Sequence, residues 1–234
     1  MPVDLKILEY YFLKQFILKY KIRNAKQHPS YATLMQTLKN YQPTAIDNKE
    51  LADCTFTIFD LETTGFFPEL GDEIISIGAV KVKHSQVQYS NSFYKVISPL
   101  QTVTKSTKRF TGLKKKEIID GEPLPIVMSE FLQFSEGTIL VAHPASFDIN
   151  FLKKRFKKWG LPEFSPEYLD SFLLANKLYP SQKNYLDDLI ERFSISRRTR
   201  HHALNDAVMT AEIFIQLLGE VSISRYSELK EKMV

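Results

Sequence analysis

Residues Phe56–Glu73 read FTIFDLETTGFFPELGDE, and the rest of the chain is organised around them. Phe56, Ile58 and Phe59 open a short apolar run of strand-forming residues. Asp60 and Glu62 follow with Leu61 between them. Residues two apart on a strand share a face, so both carboxylates point the same way. Two adjacent carboxylates in an apolar run repel each other and lose hydration. A positive group is expected to neutralise them, and hard oxygen ligands on one face suit Mg²⁺ or Mn²⁺. Thr63, Thr64 and Gly65 then offer hydroxyls, backbone amides and a flexible turn beside the acids. The same pattern also fits a strand end whose acids face solvent.

The chain has 234 residues, with 44% hydrophobic and 25% charged residues, which is enough for a large core. Its one cysteine, Cys54, rules out an intrachain disulfide, and nothing argues for secretion. The N-terminus lacks the charge and cleavage pattern of a signal peptide. No apolar run reaches the ~20 residues of a membrane span, so the cytoplasm is the expected location and no membrane partner is expected. The net charge of +4 is uneven. Residues 1–50 hold eight basic and four acidic residues, leaving twenty-three of each beyond them. The balanced remainder differs from a domain that grips nucleic acid by charge alone.

Outward from the opening stretch, residues 4–22 carry apolar residues at helical spacing. Leu5, Leu8, Phe12 and Phe16 set a face that Ile7, Tyr11 and Leu18 widen. Lys6, Lys14, Lys19, Lys21 and Arg23 leave a basic outer side. A second short helix is expected over 31–38, capped by Ser30, and then a linker over 42–48. This segment either packs on the main domain or docks to a partner or nucleic acid. Beyond Phe56 the pattern predicts strands over 56–62, 74–82 and 87–97 in an antiparallel meander, with His84-Ser85-Gln86 as a hairpin link. Helices are expected over 106–111, 114–120, 124–134, 147–159, 171–178, 185–193 and 203–218, and further strands over 138–142 and 167–170. A meander followed by alternating strands and helices implies an α/β chain, a mixed sheet with helices on both faces. The expected organisation is a helical extension over 1–50, a main domain over 51–222 and a tail over 223–234.

Asp148 stands near the start of a helix in VAHPASFDINFL, where an acid is favoured by the helix dipole in any case. Asp206 lies in HHALNDAVMTAEIF, five residues after His201. Ala203, Ala207, Ala211 and Phe214 make a stripe that lets this helix approach its neighbour closely. Three acidic segments and a histidine at strand and helix ends can converge on one sheet edge. FDLETTG, VAHPASFD and HHALNDA, in this order, resemble the DEDDh family of 3′→5′ exonucleases, whose fold is an RNase H-like, five-stranded mixed sheet. The resemblance covers about residues 55–218. It is greatest to the proofreading type, the epsilon subunit of bacterial DNA polymerase III and its stand-alone relatives. Pro144 stands where the family usually has Asn. The extension is not part of the usual core, and no long polymerase-binding tail follows the last block. A stand-alone or differently partnered nuclease is therefore expected.

The resemblance implies two divalent cations, Mg²⁺ or Mn²⁺, held by Asp60, Glu62, Asp148 and Asp206, with His201 as the general base rather than His202. It implies a DNA 3′ end over Leu61, Thr63, Thr64 and Gly65, and release of nucleoside 5′-monophosphates. Phe66, Phe67 and Phe147 divide between core packing and base stacking. The basic runs 114–116, 153–158 and 197–200 fit either a strand-tracking path or a solvated face. Single-stranded RNA is the alternative substrate, and a catalytically inactive binding module is the alternative class. A DNA polymerase subunit or another protein is a candidate partner for residues 1–50.

Overall fold

A computed structural model describes residues 10–44 and 49–233. Strand β1 (Thr55–Thr63) pairs antiparallel with β2 (Ile74–Lys83), which pairs antiparallel with β3 (Gln86–Val96). His84 and Ser85 join the last two at positive φ, the twist that a two-residue hairpin requires. β1 also pairs in parallel with β4 (Ile139–Ala142), and β4 with β5 (Tyr168–Asp170). The mixed five-stranded sheet runs β3-β2-β1-β4-β5. Its parallel half reads as nearly continuous apolar residues because helices cover both faces.

Alternation along β1 divides the core. Phe59 and Leu61 point into one cluster, and Phe56 and Ile58 into the other. Asp60 and Glu62 share the second face, against helix α9 (Ala203–Glu220). On that side lie α7 (Ser171–Leu178), α8 (Leu186–Arg192) and α10 (Tyr226–Met233). The opposite face is covered by α5 (Leu124–Phe134) and α6 (Ala145–Lys158). The short helices α3 (Lys105–Thr111) and α4 (Lys115–Ile119) link β3 to α5. The residues expected to form a tail contain α10, whose Tyr226 and Leu229 are buried.

Residues 4–9 of the first expected helix lie outside the described residues. A π-turn over Tyr10–Lys14 leads into α1 (Gln15–Ala25), and α2 (Pro29–Asn40) follows. Their Leu18, Ile22, Leu34 and Leu38 join the core on the α5 side. Only part of the expected apolar face is buried here: Leu18 is in the core, but Phe12 is 73% and Phe16 65% exposed. The cap of α2 also differs: His28, not Ser30, accepts the Ser30 amide through its side chain. No helix among the described residues is long and apolar enough to cross a membrane.

Candidate active site

Four elements bring the site together. The pleat of β1 presents Asp60 and Glu62, and a bulge between Glu62 and Thr63 turns the strand end. α9 starts directly above, and its first turn carries Asp206. Gly78 makes this approach possible. It pairs with Asp60 across the sheet, and a Cβ there would stand 2.1 Å from the Leu204 amide nitrogen. His201 precedes α9 with φ of 60° and gives its amide hydrogen to Asp206 Oδ2 at 2.9 Å. The first turn of α6 brings Asp148 beneath β1, only 4% exposed. Asp170 caps α7 through the Phe172 and Leu173 amides and also accepts the Ser146 amide, which fixes α6 to α7. Pro144 takes the N-cap position of α6 after a cis bond from His143.

Oxygen or nitrogen atoms of Glu62, His201 and Asp206 lie within 4.8 Å of one another. Asp60 and Asp148 adjoin this trio electrostatically. Burial first, then Asp148, Glu62 and Asp206, push the Asp60 carboxyl well above the usual range. Burial and Asp206 raise Glu62 to about 8. Asp148 is raised by burial, then by Glu62 and Asp170. Arg200 offsets part of this repulsion: its Nη1 lies 2.5 Å from Asp206 Oδ2. The buried Asp206 Oδ1 makes no hydrogen bond to the described protein. A crowd of hard oxygen donors, mutually repelling and with one orphaned, fits a divalent cation.

Glu62, Asp60, His201 and Asp206 line a cleft of about 530 Å³. Leu61, Thr63, Thr64, Gly65, Phe66 and Phe147 line the same cleft, so the expected contact residues converge there. Asp72 holds their loop, accepting the Thr64 hydroxyl and the Phe67 amide. A Cβ on Gly65 would collide with the Asp72 carboxylate at 2.4 Å. The Thr63 hydroxyl is engaged, donating to the Gly65 carbonyl at 2.7 Å. Phe66 is 71% exposed and meets the Phe147 ring edge-on with centroids 6.0 Å apart.

The basic run 153–158 is not uniformly a solvated face or a strand-tracking path. Arg155 is buried and ion-paired with Glu73 at 3.0 Å. His202 stacks on Tyr94 at 4.5 Å, away from the trio. His143 bonds Ser171 and the Asn184 carbonyl, and burial lowers its pKa to about 4. Several residues lining the cleft, Phe110, Tyr185, Asp187 and Arg200 among them, escaped the sequence reading. Phe110 of α3 lies against the His201 ring at 3.8 Å while 58% exposed. Its signal was a single aromatic among basic residues, KSTKRFTG. Arg200 was read only as one of a basic run.

A family model described as Exonuclease matches residues 57–214. The chain belongs to the exonuclease family. Membership makes it a nuclease hydrolase, and exonucleases of the DEDDh type use divalent metal ions. Among its relatives, the DNA polymerase III PolC-type protein of Caldanaerobacter subterraneus subsp. tengcongensis is 37% identical over 183 residues. That match covers 76% of this chain and 13% of the relative. A DNA polymerase III subunit epsilon-like protein of Rhodobacter capsulatus is 33% identical over 177 residues, covering 74% and 25%. The chain therefore spans a quarter or less of the length of these curated relatives. Two solved exonucleases share the fold. The nuclease domain of 3′hExo, a DEDDh member bound to rAMP, superposes with a TM-score of 0.65 at 18% identity, covering 79% of this chain and 98% of that one. Exonuclease X in complex with 5′ overhanging duplex DNA gives 0.61 at 22%, covering 76% and 99%.

Proposed function

We propose that this exonuclease works in the 3′→5′ direction on single-stranded DNA ends and releases nucleoside 5′-monophosphates. The observation that carries the reading is the gathering of Glu62, His201 and Asp206 within 4.8 Å on the floor of an aromatic-walled cleft. Asp60, Glu62, Asp148 and Asp206 would hold two divalent cations, Mg²⁺ or Mn²⁺, which when bound supply Lewis acidity at the scissile phosphate and the attacking water.

The chain's own groups do the rest. Burial, then Arg200, hold the His201 ring below its ordinary pKa of 6.5, so it is unprotonated at neutral pH. It takes the proton from the attacking water as the bond to phosphorus forms. The Phe110 ring against it limits its rotation. Phe66 and Phe147 offer faces to the terminal bases, and the backbone of 63–65 meets the 3′-terminal sugar. Asp72 keeps that backbone fixed, so binding orders little of the protein.

The names of the polymerase relatives support proofreading as the process served. A polymerase subunit would then meet the extension on the exposed stripe of Phe12, Phe16 and Tyr20. The test uses 5′-labelled single-stranded DNA, a matched RNA and a circular DNA strand. The proposal expects a descending ladder from linear DNA, slower shortening of RNA and an intact circle. A faster RNA ladder would move the substrate to RNA. Immediate release of the label as a mononucleotide would overturn the 3′→5′ polarity, and cleavage of the circle would overturn the requirement for a free end.

A further inference from the structure

We propose that the extension is a working part of the 3′-end site, with Lys158 and Tyr10 as positioning residues that hold the loop over 64–72 for the incoming strand. This rests on the 3′→5′ reading of the cleft and adds two residues that lie outside it. The loop has two sides. Thr64, Gly65 and Phe66 line the cleft. The turn over Pro68–Leu70 and the Gly71 that ends it meet the extension. Gly71 stands at φ of 92°, and a Cβ on it would lie 3.0 Å from Tyr10 Cε2 and 3.4 Å from Leu18 Cδ2. The extension therefore packs directly on the turn. Asp72 joins the two sides, since it follows the turn and accepts both the Thr64 hydroxyl and the Phe67 amide.

Lys158, the last residue of α6, ties this turn to the extension. Its Nζ donates to the Glu69 carbonyl at 3.0 Å and to the Pro68 carbonyl at 3.3 Å. The same atom lies 4.5 Å from the centroid of the buried Tyr10 ring. Burial, then the neighbouring Arg155, lower the Lys158 pKa to about 8, so the ammonium is charged at neutral pH. A half-buried ammonium gains more from carbonyls and a ring face than an exposed one does. Lys154 pairs with Glu69 on the same turn, but both side chains are half exposed, and such pairs contribute little. Lys158 is therefore the stronger hold, and Tyr10 supplies the face that completes its surroundings. Without them the turn is freed, and Asp72 passes that freedom to Thr64, Gly65 and Phe66 in the cleft. The cations' carboxylates and His201 stand on β1, α6 and the start of α9, so they keep their places.

The experiment compares the full-length wild type with Lys158→Met, Lys158→Arg and Tyr10→Leu at about pH 7, where Lys158 is charged. Methionine keeps most of the stem and removes the charge, arginine keeps charge and donors, and leucine keeps an apolar contact without the ring face. Two readouts are taken. The Leu70, Gly71 and Asp72 amides are hydrogen-bonded within the turn, so their hydrogen–deuterium exchange reports its opening. Steady-state shortening of a 5′-labelled single DNA strand reports KM and kcat. In Lys158→Met the protection of 64–72 should fall while that of β1 and α9 stays. KM should rise at least about tenfold, the equivalent of one charged hydrogen bond. The kcat should stay within about threefold, the pattern of lost uniform binding. Tyr10→Leu should shift both readouts the same way by a smaller factor, and Lys158→Arg should keep both near the wild type. Unchanged protection of 64–72 in Lys158→Met overturns the proposal. Lost protection with an unchanged KM also overturns it, as does exchange that rises equally throughout the protein. A wild type that shortens no strand would fail the 3′→5′ reading alone, and the exchange arm would still decide whether Lys158 holds the loop.

Discussion

Glu62 and its neighbours set a pH dependence of stability in the metal-free protein. A carboxyl raised to about 8 when folded holds its stability below its unfolded pKa, and loses it as pH rises through the folded value. His143 has the opposite sign, being depressed to about 4 when folded. Its contribution is complete above the unfolded value of about 6.5 and does not enter the range above that. The melting temperature in EDTA should therefore fall between about pH 6.5 and about pH 8. Saturating Mn²⁺ should abolish the fall. A flat EDTA profile over that range would show that the carboxylates are not crowded as described. At the same scale, His201→Gln should lower kcat by about 10²- to 10⁴-fold, the usual contribution of a general base. Calorimetric Mn²⁺ affinity should change far less than kcat. A parallel loss of both would make His201 a ligand rather than a base.

Among the elements, the contact of β2 with α9 is the most demanding. Gly78→Ala forces a Cβ into the backbone of Ala203 and Leu204, and overpacking of this kind costs about 1–3 kcal/mol. Because Gly78 faces Asp60 across the ladder, the shift moves Asp206 and His201 away from β1. Urea denaturation should show the modest loss of stability, while activity falls by a larger factor in the still-folded protein. Activity unchanged beside an unchanged midpoint would mean that α9 does not approach as described. Gly78 also marks what a sequence can reveal. The alternation in FTIFDLE and the helical period of 124–134 are local, so β1 and α5 were legible with their faces. The closeness of residues 78 and 204 is not local, and IGAV offers only a glycine in a strand. The buried Arg155 misled for the same reason: its partner Glu73 is 82 residues distant. Which aromatic residues of the π-turn and α1 stay exposed was not legible either, because Phe12 and Phe16 recur at the same spacing as the buried Leu18 and Ile22.

For the whole molecule, the extension behaves as part of the core. Leu34 is fully buried, with α2 lying along α5. Tyr31 donates to the Trp159 carbonyl at 3.1 Å, and Thr44 to the Thr138 carbonyl at 3.2 Å. Leu34→Ala should cost about 2–5 kcal/mol, in a single unfolding transition that includes the nuclease body. Two separate transitions would show that the extension folds apart from it. Glu62, His201 and Asp206, which the structure gathers, were legible in the sequence because their blocks bring their own acids and histidine. Phe110 and Arg200 were not, since their place depends on how α3 and the loop before α9 fold over the cleft.

The most direct test of the central claim is shortening of a 5′-labelled single strand by the wild type and by Asp206→Asn, across a Mn²⁺ titration. The wild type should give a 3′→5′ ladder of 5′-monophosphate release that needs the cation and is silenced by EDTA. Asp206→Asn should be slower by at least about 10³-fold, as expected when a group essential to transition-state stabilisation is lost. Wild-type rates in Asp206→Asn, or an undiminished ladder in EDTA, would contradict it.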